Sequence, residues 1–70
     1  MPEQNPDRRA FDPPRTVKVL HDDGCWYRGM QFEWVRCPTT SAWRAGVTYS
    51  TAPGARYVRS VPADRLVAAV

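Results

Sequence analysis

A turn and the strand that follows it decide the fold, and together they read Asp22-Asp23-Gly24-Cys25-Trp26-Tyr27-Arg28-Gly29. The Asp-Gly pair favours the positive φ of a tight bend. Residues 25–36 then alternate with a period of two, which is typical of a β-strand. One predicted face of this strand carries Trp26, Arg28, Met30, Phe32 and Trp34. The opposite face carries Cys25, Tyr27, Gly29, Gln31, Glu33 and Val35, and Gly29 in mid-strand predicts a bend or a bulge.

Four shorter strands surround this long one, and they are predicted at residues 16–20, 43–50, 56–61 and 66–70. The connection that contains Pro53-Gly54 suits a type II turn. Residues 61–66, with Pro62 near their start, indicate a single helical turn. No window of ten or more residues carries the apolar stripe of an amphipathic helix. The predicted fold class is therefore all-β, with five strands in a small bent barrel that closes its own edges.

The chain of 70 residues allows one small domain. Four of its seven prolines fall within residues 1–15, which contain few other apolar residues. Such a segment buries too little surface to offset the entropy of ordering it. We therefore predict a disordered N-terminal arm over residues 1–15 and a barrel over residues 16–70.

The order of these elements resembles the SH3-like small barrels, and in particular the Tudor-like domains. Residues 23–29 are similar to the DG-x-WY-R-A/G start of the second strand in that group. Val47-Thr48-Tyr49 is similar to its V-x-Y third strand, and residues 61–66 look like the 3-10 turn before its last strand. Residues 49–54 and 61–65 are also similar to the ending of short uncharacterised actinobacterial proteins. The resemblance implies a five-stranded barrel and a binding module, but SH3-like barrels bind peptides, methylated side chains, RNA, DNA or other domains.

Basic residues interleave with aromatic residues along the predicted strands. The chain has ten Lys and Arg against seven Asp and Glu, a formal charge of +3. Arginine contacts phosphates and aromatic rings stack on bases, which is a general mode of nucleic-acid binding. We therefore predict a small binding module that contacts nucleic acid, or a nucleic-acid-associated protein, through an Arg/aromatic face. The candidate nucleic-acid-binding residues are Arg28, Arg44, Arg56 and Arg59. The candidate partner-binding aromatics are Trp26, Tyr27, Tyr49 and Tyr57.

Protein binding is the alternative function. Three Trp, three Tyr and two Phe in so short a chain can exceed what its core buries, and exposed aromatics would suit an adaptor. A Tudor-like aromatic cage could use the same four aromatics, although no acidic or Asn partner is evident near Tyr57. Trp26 matches the ridge tryptophan of peptide-binding SH3 domains, but their last-turn tyrosine and acidic loop are missing. The competing interpretation is that Trp26 and Tyr49 simply pack in the core.

Catalysis and cofactors are not expected. His21 lies beside Asp22, Asp23 and Cys25, but a barrel this small has no interior cavity for a substrate. Two cysteines and one histidine are too few for a structural zinc site. Cys25 and Cys37 would lie about 40 Å apart on a straight strand, which predicts free thiols and a cytoplasmic location. No apolar run is long enough for a membrane-spanning helix, so we expect no membrane contact. We also predict a monomer.

Overall fold

The structure, a computed structural model, describes residues 7–69. Its elements are β1 (Arg8–Leu20), β2 (Trp26–Arg36), β3 (Trp43–Ala52), β4 (Ala55–Pro62), a 3-10 turn (Ala63–Arg65) and β5 (Leu66–Ala68). The five strands form one antiparallel sheet in the order β4-β3-β2-β1-β5. This sheet curls into a half-barrel, which confirms the all-β class and the 3-10 turn before the last strand.

The tight turns lie where the sequence predicts them, because their residues supply the local geometry. Gly24 has a φ of +83° in the β1–β2 turn, and its N–H donates to the carbonyl of His21 at 3.0 Å. Ala52 pairs with Ala55, so Pro53 and Gly54 alone connect β3 to β4. The φ of +80° at Gly54 is the one that a type II turn requires at its second central residue.

β1 begins earlier than the sequence predicts. Residues 8–10 pair with β2, the register then shifts, and pairing resumes at Arg15. Pro13 and Pro14 lie within that shift, where a missing N–H removes no ladder hydrogen bond. Composition alone therefore misassigned residues 8–15 to a disordered arm, and residues 1–6 of that predicted arm lie outside the described residues.

The core lies on the inner side of the curled sheet, which we call the concave face. Its buried side chains are mostly small: Val17, Val19, Ala45, Val47, Tyr49 and Val61. Gln31 is buried among them, and its amide accepts from Nε of Arg15 at 2.7 Å and donates to the carbonyl of Glu33 at 3.0 Å. β2 thus turns Gly29 and Gln31 inward and Trp26, Arg28 and Met30 outward, onto what we call the convex face.

A register shift between Gln31 and Glu33 breaks the alternation of β2. Phe32 is the additional residue, and beyond it Trp34 pairs with Ala45 and joins the concave face. The sequence had placed Trp34 on the face of Trp26 and had placed the bend or bulge at Gly29. Pairing is continuous through Gly29 itself. A glycine is needed at this position because β3 approaches its backbone closely. A Cβ there would stand 2.5 Å from the carbonyl oxygen of Thr48.

Within residues 7–69, no helix is long and apolar enough to cross a membrane.

Candidate functional site

A row of basic side chains crosses the convex face. Lys18 of β1 pairs with Arg28 of β2. The register of Gly29 with Tyr49 brings Arg28 beside Ser50 of β3, and Ser50 pairs with Arg56 of β4. Neighbouring strands lie about 4.8 Å apart, so these residues follow one another closely across four strands. We call Lys18, Arg28 and Arg56 the basic row.

The charge of the basic row is not neutralised within the described residues 7–69. All three side chains are exposed, and none of them forms an ion pair there. On the paired strands of that part of the chain, Glu33 is the acidic side chain of the convex face, and it binds Arg8 at 3.2 Å. The convex face therefore keeps a surplus of positive charge that attracts polyanions.

Arg44 extends this positive surface towards the other end of β3. It pairs with Val35 and Pro62 on the convex face. Its Nε donates to the Ser60 hydroxyl at 3.0 Å and its Nη2 donates to the Ser60 carbonyl at 2.9 Å. These bonds orient the guanidinium but leave its charge in place, because a hydroxyl and a carbonyl carry no charge.

Apolar side chains accompany the basic row. Trp26 is 45% exposed at the end of β2, and Met30 and Val58 are also exposed on this face. The ring of Phe32 lies over Gly46, where a Cβ would come within 2.8 Å of it. Gly46, Thr48 and Ser50 of β3 have small side chains, so the surface between the larger side chains is shallow. Cationic side chains and aromatic rings thus share one surface.

Three of the four candidate partner-binding aromatics meet elsewhere, at one end of the concave face. The ring centroids of Tyr27 and Tyr57 lie 6.3 and 5.5 Å from that of the buried Tyr49. The ring of His21 contacts all three, at centroid distances of 5.8, 5.6 and 4.9 Å. Its Nδ1 also shares a 2.7 Å hydrogen bond with the Tyr49 hydroxyl. A side chain of the protein itself therefore occupies the space that a methylammonium group would need.

Arg59 belongs to this cluster and not to the basic row. Its Nη1 donates to the Tyr49 hydroxyl at 3.2 Å and lies 3.4 Å from a carboxylate oxygen of Asp22. Arg65 reaches the other oxygen of Asp22 at 3.0 Å. The hydrogen bonds from Arg65 and Arg59 hold the pKa of the Asp22 carboxyl below its usual range. Of the four candidate arginines, the structure thus brings Arg28, Arg44 and Arg56 to one face and Arg59 to the other.

Comparison with protein-family models, curated proteins and solved structures finds no match for this chain. The structure shows a curled five-stranded antiparallel half-barrel with β4 and β5 at its edges, rather than a barrel that closes its own edges, and this is compatible with a small β-barrel. No family or relative supports the resemblance to SH3-like, Tudor-like or actinobacterial proteins.

Sequence reasoning missed two contributors to the convex face. Lys18 was part of a predicted strand, but its position opposite Arg28 depends on a pairing register that no local pattern shows. The sequence predicts Phe32 on the face of Trp26 but does not point to it as a site residue. Its packing over Gly46 accompanies the register shift. A glycine in the middle of the third strand was the one signal that a bulky neighbour could cover it.

Neither thiol belongs to a ligand cluster. Cys25 and Cys37 are free, and no group of three His, Cys, Asp or Glu within residues 7–69 is arranged to hold a metal ion. Hydrogen bonds from Thr40 and Thr39 in the β2–β3 connection lower the pKa of Cys37 to about 7.

Proposed function

We propose that this protein is a non-catalytic, SH3-like binding module that contacts nucleic acid across its convex face. The observation that carries the proposal is the basic row, whose three cations lack counter-charges within the described residues and lie beside the exposed Trp26. Arg44 adds a fourth cation to the same surface. Two free thiols fit the reducing cytoplasm, which is the location that we propose.

Each part of the convex face has a role in this mechanism. The cations of the basic row neutralise phosphates and release bound counterions, which supplies affinity without reading sequence. Trp26 and Phe32 offer ring surfaces on which unpaired bases stack, and this contact favours a single strand over a duplex. The small side chains of β3 leave room for the phosphate backbone to approach the cations.

Fluorescence anisotropy with labelled single-stranded and duplex oligonucleotides of mixed sequence tests the proposal. Three phosphate contacts predict that the logarithm of the affinity falls with the logarithm of salt concentration with a slope of about −2 to −3. Arg28→Gln should weaken binding about three- to tenfold and reduce the slope by about 1. Arg65→Gln is the matched control, since it removes the same charge from the 3-10 turn, outside the basic row.

Two results would contradict nucleic-acid binding by this face: an affinity that does not change with salt, or equal losses in the two variants. Circular dichroism of each variant confirms that its sheet is intact.

The alternative function, a protein-binding adaptor, uses the same face. Val58 is 72% exposed and Val67, next to Lys18, is 52% exposed, so the surface also offers apolar area to a protein. Failure of both oligonucleotides at every salt concentration would favour this alternative.

A further inference from the structure

A pocket of about 380 Å³ opens at the end of the concave face that lies away from the tyrosines. Four residues from four different elements line it: Arg9 of β1, Trp34 of β2, Trp43 of β3 and Ala63 of the 3-10 turn. Trp34 reaches this face because the register shift at Phe32 reverses the alternation of β2. The pocket therefore depends on the same irregularity that distinguishes the two faces.

Three guanidinium groups surround the two indole rings, but they differ in their partners. Arg9 lies 5.5 Å and Arg36 lies 5.4 Å from the ring centroid of Trp43. Arg36 is bound to the carboxylate of Asp7 at 2.6 Å. Arg15, 5.9 Å from the ring of Trp34, donates to Gln31.

Arg9 is the cation of the pocket that is left without an anion in the described part of the chain. It is exposed, it lines the pocket directly, and no carboxylate within residues 7–69 forms an ion pair with it. Within the same residues, the Arg9 guanidinium lies over the ring of Trp43. An anion that enters the pocket can therefore pair with Arg9 without displacing an existing partner.

We propose that this pocket binds a planar aromatic ligand that carries an anionic group. The ring packs against the indoles of Trp34 and Trp43, and the anion accepts charge-assisted hydrogen bonds from Arg9. The volume falls within the range of small-molecule sites. Aromatic carboxylates and nucleoside monophosphates both present this chemistry. The pocket lies on the opposite side of the sheet from the basic row, so this site and the proposed nucleic-acid face can fail independently.

An NMR titration that follows the indole N–H signals of the three tryptophans tests the site. The probes are naphthalene-2-acetate, its neutral amide and uridine monophosphate. Trp34 and Trp43 should shift with at least one of the two anions, with a Kd below about 1 mM. The amide should bind at least about fivefold more weakly than the acid, because it cannot form the ion pair. Trp26, exposed on the convex face, is the internal control for the two naphthalene probes, since the monophosphate can also reach the basic row.

Paired variants locate the anion. Arg9→Gln should weaken the anionic probe about tenfold. Arg8→Gln, which removes the same charge from the neighbouring residue on the convex face, should leave the affinity unchanged. Unchanged amide shifts of the core valines in each variant show that the fold is kept. The relative affinities of the carboxylate and the monophosphate then identify the source of the anion.

Any of four results would overturn the proposal: no shift with either anion, equal binding of acid and amide, equal shifts at Trp26 with the naphthalene probes, or equal losses in the two arginine variants.

Discussion

At the scale of single residues, Gly29 and Gly46 are both packed too tightly for a side chain, but against different neighbours. A Cβ on Gly29 would stand 2.5 Å from the backbone oxygen of Thr48 and 2.7 Å from Cβ of Tyr49. A Cβ on Gly46 would meet only side-chain atoms, from Glu33 at 2.7 Å and from Phe32 at 2.8 Å. Backbone atoms cannot move without disturbing the β2–β3 ladder, whereas the two side chains can rotate.

Gly29→Ala should therefore lower the free energy of unfolding by about 1–3 kcal/mol. Gly46→Ala, the matched control, should cost less, because the Glu33 and Phe32 side chains can shift towards solvent. Urea denaturation followed by circular dichroism measures both. Equal losses would show that the close backbone approach at Gly29 does not determine its cost.

At the scale of elements, the turn between β1 and β2 is held by its two carboxylates. Asp23 accepts from the Tyr27 hydroxyl at 2.6 Å and from the Cys25 N–H at 2.9 Å. Asp22 accepts from Arg59 and Arg65, which belong to β4 and the 3-10 turn. The turn thus connects the first two strands to β4 and the 3-10 turn, although they are distant in the chain.

The Tyr27 phenol should ionise unusually late. Its hydrogen bond to Asp23 raises its pKa to about 12, above the unfolded value of about 10. A raised pKa means that, while Asp23 is ionised, this contact stabilises the turn fully up to pH 10 and loses its effect as the pH rises through 12. An absorbance titration of the tyrosinate band should show the late step, and Asp23→Asn should move it back towards the usual pKa. A late step that persists in that variant would exclude Asp23 as its cause.

In acid, the same contact depends on pH with the opposite sign. The hydrogen bond from Tyr27 lowers the pKa of Asp23, so the contact is present above the ordinary carboxyl range and is lost as the pH falls through the lowered value.

At the scale of the whole molecule, the core is thin and consists mainly of valines. None of the three tryptophans is buried, and Tyr49, 2% exposed, is the one aromatic side chain of the core in the described chain. A domain of this size has a free energy of unfolding of roughly 3–5 kcal/mol. Tryptophan contributes to this core through Trp34, which packs against it half-buried.

Val47→Ala should cost about 2 kcal/mol, since it removes buried methyl groups and leaves a cavity. Trp26→Ala should cost about 1 kcal/mol or less, because the ring is a surface group of the convex face. Urea midpoints obtained by circular dichroism test this order without relying on tryptophan fluorescence. A larger loss in Trp26→Ala would mean that the convex ring contributes to stability as a core residue does.

The sequence predicts the strands and turns closely because their signals are local. Asp23-Gly24 and Pro53-Gly54 specify turns by their own backbone preferences, and the alternation between them specifies strands. The start of β1 and the register shift at Phe32 depend on what lies opposite in the sheet, and no window of sequence shows this. The candidate site shares the limitation only in part: Arg28, Arg44 and Arg56 could be named from the sequence, whereas their common face depends on lateral register. The separation of Arg59 from Arg56 follows from alternation within β4, because residues three apart on a strand lie on opposite faces.

β3 alternates between the two faces residue by residue, with Ala45 and Val47 inside and Arg44 and Thr48 outside. Substitutions within such a strand keep its pairing register, whereas the loss of one residue shifts it. Deletion of a single codon within β3 would turn every later side chain of that strand to the wrong side. Changes in length are thus tolerated best in connections such as residues 37–42, or at a bulge such as the one at Phe32, where an extra residue is accommodated within a strand.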